Sequence, residues 1–213
     1  MQLISVNVGL PREVSWKGKT VTTGIFKEPI SERVMLRTLN LDGDGQADLT
    51  VHGGVDKAAY AYPCEHYDYW RNELPDVALS WGAFGENFTI VGLKEDGINI
   101  GDRFRIGTAE VMVTQPRLPC YKLGIKFGRT DIVKLFLASR LTGFYFSVVQ
   151  EGEVGAGDTL ELVHQDENQI TVADITRLYL HETNDSEQLH RVVKLSALPA
   201  SWRDYFIERI NKQ

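Results

Sequence analysis

Cysteine is scarce in this chain: Cys64 and Cys120 are the two thiols in 213 residues. That is too few for a disulfide framework, and too few for a four-thiolate iron–sulfur cluster. Reduced thiols in a cytoplasmic protein are the expectation. Long apolar runs are also missing. None approaches the roughly 20 residues of a membrane span, so no membrane association is expected. The stretch from Met1 to Val14 lacks the basic and apolar blocks of a signal peptide. Positive charge is not in excess either: 23 Lys and Arg stand against 29 Asp and Glu, a net charge of −6. A chain of this balance is not expected to bind duplex nucleic acid, which calls for a basic face, although a local basic pocket is compatible with it.

What is present is enough chain for one domain and a smaller companion, with an ordinary 43% of hydrophobic residues. The first two thirds read as β. Gln2 to Val8 alternates and is bounded by Gly9 and Pro11; Val21 to Phe26 and Val34 to Leu41 are further strands. INIGDRFRI (98–106) and VGAGDTLEL (154–162) echo each other, each with a Gly-Asp turn before a strand whose apolar residues alternate. Many short strands with glycine-rich turns suggest a barrel or sandwich. Two helices interrupt them. Glu65 to Leu74 sets Tyr69 and Leu74 near one face, with His66 and Trp70 adjacent, and Pro75 ends it. Thr130 to Arg140 has a Thr130 or Asp131 cap and an apolar face of Ile132, Leu135 and Phe136.

The character changes after about Glu167. Thr171 with Asp174 is close to a capping box, Asp185 or Ser186 can cap a second helix running to Lys194, and Pro199 suits the first turn of a third over Leu198 to Asn211. The domain reading is therefore 1–167 as a mainly β domain and 168–213 as a small three-helix module. The module is too short to be stable alone and should dock on the β domain.

The richest segment is Gln115-Pro116-Arg117-Leu118-Pro119-Cys120-Tyr121-Lys122. Two prolines restrain the loop that carries Cys120. Arg117 and Lys122 flank the thiol, and nearby cations favour the thiolate that attacks electrophiles or ligates metals. On these residues alone, an inert buried cysteine is an equal reading. His52-Gly53-Gly54-Val55-Asp56-Lys57 offers an acid–base group, a carboxylate and a cation around glycines that permit close approach, or simply a polar hairpin. His66 carries the same ambiguity. Asn87 lies in a second glycine loop and can both donate and accept. Trp16-Lys17-Gly18-Lys19-Thr20 is a compact basic turn suited to an anion, or an ordinary solvated loop. The LDGDGQAD run (41–48) lacks the glycine and glutamate that a calcium loop needs. GEVGAG (152–157) has the wrong glycine order for dinucleotide binding.

Together, WKGKTVTTGIFKEPI, LDGDGQADLTVHGGVDKAAYAYPCEHYDYW, GAFGENFTIVGL, INIGDRFRIG, QPRLPCYKL and EGEVGAGDTLEL resemble the MOSC-domain family of the YiiM type, in the family's order over most of residues 16–163. The tail resembles the three-helix module that follows the MOSC domain in this subgroup. The resemblance implies a mainly β, barrel-like fold with that C-terminal module. It also implies binding of the molybdenum cofactor, a molybdopterin with a dithiolene and a phosphate. Cys120 matches the position whose thiolate ligates the metal, and a soft thiolate suits a metal already held by sulfur.

By the same resemblance Lys17, Lys19 and Thr20 hold the phosphate or pterin, and Arg117 and Lys122 offset anionic charge near the metal. Lys57, Asn87 and His52 take supporting roles, while Asp44 and Glu86 orient the cations or meet the pterin's amino edge. The implied activity is reduction of N-hydroxylated compounds such as 6-hydroxylaminopurine, a detoxification, with Cys120 and His52 as catalytic residues and His52 or an acidic neighbour as proton source. With no flavin, haem or iron–sulfur motif in the chain, electrons would come from a separate flavin or ferredoxin-type reductase. A second copy, as a homodimer, is a further candidate partner. The rival readings are a cofactor carrier or sulfur-transfer protein without turnover, and a metal-free hydrolase pairing Cys120 with His52 or His66.

Overall fold

A computed structural model describes residues 1–47, 53–181 and 185–212. Among the described residues twelve strands and six α-helices follow in chain order. An eight-stranded sheet forms the body. Its order is β12 (Leu160–His164), β8 (Arg103–Ile106), β9 (Ala109–Pro116), β10 (Phe144–Gln150), β6 (Ala59–Pro63), β7 (Phe88–Val91), β1 (Gln2–Val8) and β4 (Glu28–Ile30). The pairs are antiparallel except β6 with β7. The sheet does not close as a continuous ladder. It is stitched instead where β1 meets the entry to β12, by a Gln2–Thr159 bridge and by Leu3 N–H donating to Asp158 O at 2.8 Å. The barrel-like expectation thus holds as a curled, β-dominated sheet.

The sequence echo is realised in space, because its two strands, β8 and β12, pair with Leu160 opposite Ile106. β2 (Arg12–Trp16) and β3 (Lys19–Thr23) form a separate hairpin, and β5 (Val34–Leu36) pairs with β11 (Gly152–Val154). Two expected strands are shorter than read. The first stops at Thr23, and the second stops at Leu36, with a turn before the bridge from Leu36 to Leu41.

The helices follow their sequence signals with one addition. α1 (His66–Glu73) buries His66, Tyr67 and Trp70, whereas Tyr69 faces out, so Tyr67 takes the core position expected of Tyr69. α2 (Tyr121–Phe127) was not expected. Pro119 precedes it, Gly124 interrupts its pattern, and it closes on Gly128 at φ 65°, a left-handed stop that glycine adopts without a Cβ penalty. α3 (Ile132–Ser139) buries Ile132 and Phe136. α4 (Val172–Tyr179) starts with the full Thr171–Asp174 capping box, α5 (Ser186–Val192) is capped by Asp185, and α6 (Ala200–Ile210) begins after Pro199.

Two apolar clusters hold these elements. The larger joins the sheet (Val6, Phe104, Val111, Phe146) to α4–α6 (Ile175, Leu178, Val192, Phe206), so the three-helix unit is docked on the sheet as expected. The smaller is aromatic: Tyr60, Tyr62, Tyr67, Trp70, Phe84 and Phe136, with Leu123 of α2. Burying each such side chain contributes about 1.5–3 kcal/mol.

Candidate functional site

Leu118 packs against the larger cluster and Leu123 belongs to the smaller. The loop between them is pinned at both ends, and Cys120 sits within it as the residue before α2, its side chain making no capping bond to the helix. From this position Cys120 lines an open cleft in the protein surface. The opposite walls come from Thr23–Ile25 with Lys27, from Asp44–Ala47, and from Gly53 and Lys57. Gly24 and Gly45 meet closely there: a Cβ on Gly24 would lie 2.3 Å from Gly45 O. Gly53 and Gly54 both hold positive φ, at 101° and 88°, which is why the turn before Lys57 carries two glycines.

Charge sets the character of the cleft. Among the described residues, Lys27, Lys57, Arg117 and Lys122 line it against one carboxylate, Asp44. In an acidic protein this is a local concentration of positive charge, and it favours an anionic ligand. Arg117 is the most informative of the four. It is 6% exposed, and its guanidinium carbon lies 5.1 Å from the Tyr60 ring and 5.0 Å from the Phe136 ring. Its Nη1 is the one buried side-chain polar atom among the described residues that lacks a hydrogen-bond partner. Burial pulls its pKa down, while Tyr60, Tyr145 and Cys120 pull it up and prevail, so the group stays charged. An orphaned cationic donor in the wall of a cleft is a fit for an anion that completes its bonding.

The other cations are tuned differently. Burial lowers the pKa of Lys57, with Asp56 opposing. Burial also lowers that of Lys27, whose Nζ pairs with Asp44. Asp44 accepts further from Gly9 N–H and Asn87 Nδ2, both at 2.9 Å, and Asn87 Oδ1 accepts from Tyr60 N–H at 3.1 Å. Asn87 therefore ties the Asp44 loop to β6.

Of the residues singled out from sequence, Cys120, Lys57, Asn87, Arg117, Lys122 and Asp44 meet in this cleft. Lys17, Lys19 and Thr20 do not line it. They are exposed at the tip of the β2–β3 hairpin, with Lys17 Nζ 5.8 Å from the Trp16 ring. The same hairpin delivers Thr23 and Gly24 to the wall. Glu86 is also outside the lining. It is fully buried and accepts from Tyr67 Oη, from Gly82 and Phe84 N–H, and from Thr89 Oγ1. It therefore organises a turn rather than the cations.

His52 lies outside the described residues. His66 is buried against Glu95, at 2.8 Å, and does not line the cleft, so a Cys120–His66 hydrolase pair is not formed. The sequence reading missed Lys27, Tyr60 and Tyr145. Lys27 lies in one of the segments that resemble the family, but no local pattern set it apart.

Among the described residues no group of three or more His, Cys, Asp or Glu side chains is placed to hold a metal ion. No helix among the described residues is long and apolar enough to cross a membrane.

A mainly β domain with a cation-lined cleft around a cysteine, extended by three docked helices, defines the class. Residues 48–161 match the MOSC domain, and residues 170–213 match the YiiM-like 3-alpha helix domain. The chain belongs to the MOSC-domain family and to its YiiM-like branch. It is 44% identical over 207 residues to the uncharacterized protein YflK of Bacillus subtilis, covering 97% of this chain and 93% of YflK. It is 40% identical to protein YiiM of Escherichia coli, over 84% of this chain and 81% of that one. The crystal structure of YiiM from Geobacillus stearothermophilus superposes with a TM-score of 0.82 at 36% identity, over 98% of both chains. A more distant relative, named a reductase, from Gibberella moniliformis, is 27% identical over 83% of this chain, which spans 32% of that protein.

Proposed function

We propose that this protein binds the molybdenum cofactor in the Cys120 cleft and reduces N-hydroxylated compounds such as 6-hydroxylaminopurine. The observation that carries the reading is the meeting, in one cleft, of a cysteine and four cations, with Arg117 Nη1 left without a partner. MOSC domains are generally associated with this cofactor, and the distant reductase-named relative supports the class of reaction.

The residues fit the group. Cys120 would supply the protein sulfur ligand. Arg117 would close its open bond on an anionic oxygen, held in direction by Tyr60 and Phe136. Lys57 and Lys122 would offset the remaining charge, and Asn87 would fix the wall that carries Asp44. When bound, the cofactor supplies a two-electron couple. The cleft walls would orient the N–O bond of a small substrate, and the electrons would arrive from a separate flavin or ferredoxin-type reductase. The exposed basic hairpin at Lys17, Lys19 and Thr20 remains a candidate to reach the cofactor's phosphate end. A homodimer in the cytoplasm is the proposed working form.

The test is turnover of 6-hydroxylaminopurine by cofactor-loaded protein with an artificial one-electron donor. Repeated cycling supports a reductase. One equivalent or less of product, with cofactor passed to an apo-acceptor, identifies a carrier instead.

A further inference from the structure

The Lys27–Asp44 pair has no part in holding the cofactor as described, yet both residues line the cleft that Cys120 and Arg117 line. Lys27 is 7% exposed, and the Asp44 side chain 1%. Removing two charges from water is expensive, so a pair this deep is weak evidence for stability and calls for another reason. Asp44 is held at both oxygens: Oδ1 takes Lys27 Nζ and Gly9 N–H, and Oδ2 takes Asn87 Nδ2. Three donors hold this carboxylate in place beside Lys27. Lys27 Nζ carries a transferable proton that faces the cleft: its ammonium has three donors and gives one to Asp44.

Other cations surround it. Lys57, Arg117 and Lys122 share the cleft, and Lys126, from α2, interacts with Lys27 as a like charge. Burial is the largest influence on Lys27 and lowers its pKa, with Asp44 opposing. Tyr60 and Tyr145 also line the cleft, but burial raises both hydroxyls, which makes them poorer acids. No histidine among the described residues lines it.

We propose that Lys27 Nζ is the proton donor to the departing hydroxyl of the N-hydroxylated substrate, with Asp44 positioning it. The inference rests on the reductase reading above. The reaction is R–NHOH plus two electrons and two protons, giving R–NH2 and water. The N–O bond breaks as two electrons enter from the flavin or ferredoxin-type donor. The oxygen leaves as water with a proton from Lys27 Nζ, and the nitrogen takes the second proton from solvent. Lys27 is then reprotonated through the cleft mouth.

Lys27→Arg separates this role from a purely electrostatic one, because a guanidinium keeps the charge and the pairing but does not surrender a proton in this pH range. Lys27→Met with Asp44→Asn removes both charges together and guards against a misfit of the larger side chain. Each variant and the wild type would be assayed for metal and pterin content, for turnover against pH, and for the Lys27 titration by NMR of isotopically labelled lysine.

The proposal expects both variants to retain the cofactor and to lose turnover by about 10²-fold or more, the usual range for general acid catalysis. It also expects wild-type turnover to fall with rising pH along the NMR titration of Lys27, below the ordinary lysine value of 10.5. Wild-type turnover in either variant overturns it. Loss of cofactor from both variants, with the wild type loaded, also overturns it and makes Lys27 a cofactor-binding residue. A wild type that carries no cofactor fails the reductase reading itself and removes the inference with it.

Discussion

Trp202 of α6 donates its indole N–H to Gln115 Oε1 at the end of β9. Gln115 Nε2 reaches Asp56 O at 3.4 Å, and the neighbouring Thr114 Oγ1 donates to the same carbonyl at 2.7 Å. Asp56 precedes Lys57, and Gln115 precedes the Pro116–Pro119 loop that leads to Cys120. The C-terminal module thus braces both walls of the cleft through one buried residue. Trp202→Phe keeps an aromatic ring but deletes the donor together with part of the buried indole. It should lower stability by about 1–3 kcal/mol, the cost of an unmet buried acceptor, in urea unfolding monitored by circular dichroism. It should also weaken cofactor retention, because Gln115 loses its anchor.

Arg117 is the opposite case, held for binding more than for folding. Arg117→Met forfeits the guanidinium's contacts with the Tyr60 and Phe136 rings and also removes a buried donor that lacks a partner. It should therefore change the unfolding free energy by no more than about 2 kcal/mol while metal and pterin content fall steeply. Calorimetry beside elemental analysis checks the two halves separately.

The two thiols should differ in reactivity. Burial, and then Glu65, push the Cys64 thiol up to about 11, so it is almost wholly protonated at neutral pH. Cys120 opens onto the cleft. Alkylation of the apo-protein at pH 7.5, read by peptide mass spectrometry, should label Cys120 well before Cys64, and bound cofactor should protect Cys120 alone.

Glu86 gives a signed pH dependence. Burial raises its pKa above 4.5 in the fold, against the bonds from Tyr67, Gly82 and Thr89. The native state then binds more protons than the unfolded chain between 4.5 and the raised value. This contribution to stability is complete below 4.5 and is lost as pH rises through the folded pKa. Glu86→Gln cannot titrate, so the difference in stability between variant and wild type should vary with pH across that window and level off on either side. Denaturant melts at closely spaced pH values would reveal it.

Much of the fold was legible because its signals are local. Thr171 and Asp174 announce α4 within four residues, and the alternation around Phe104 and Leu160 announces two strands that turn out to be partners. α2 was hidden because Pro119 and Gly124 both argue against a helix.

The site was half legible. Cys120 and Arg117 stand out on a proline-stiffened loop. Lys27 does not, since its meaning comes from Asp44, Gly9 and Asn87, brought together only by the close approach of the Gly24 and Gly45 segments. The hairpin cations at Lys17 and Lys19 looked apt for an anion, but the β2–β3 pairing carries them to an exposed tip while delivering Thr23 to the cleft.

The central claim is that Cys120 holds a molybdenum-bearing pterin in this cleft. The most direct measurement is molybdenum content and pterin fluorescence of protein purified from a cofactor-competent host, wild type beside Cys120→Ala. Near-stoichiometric metal in the wild type, lost in the variant with the fold intact by circular dichroism, is the predicted result. Equal metal in both proteins, or none in either, would contradict it.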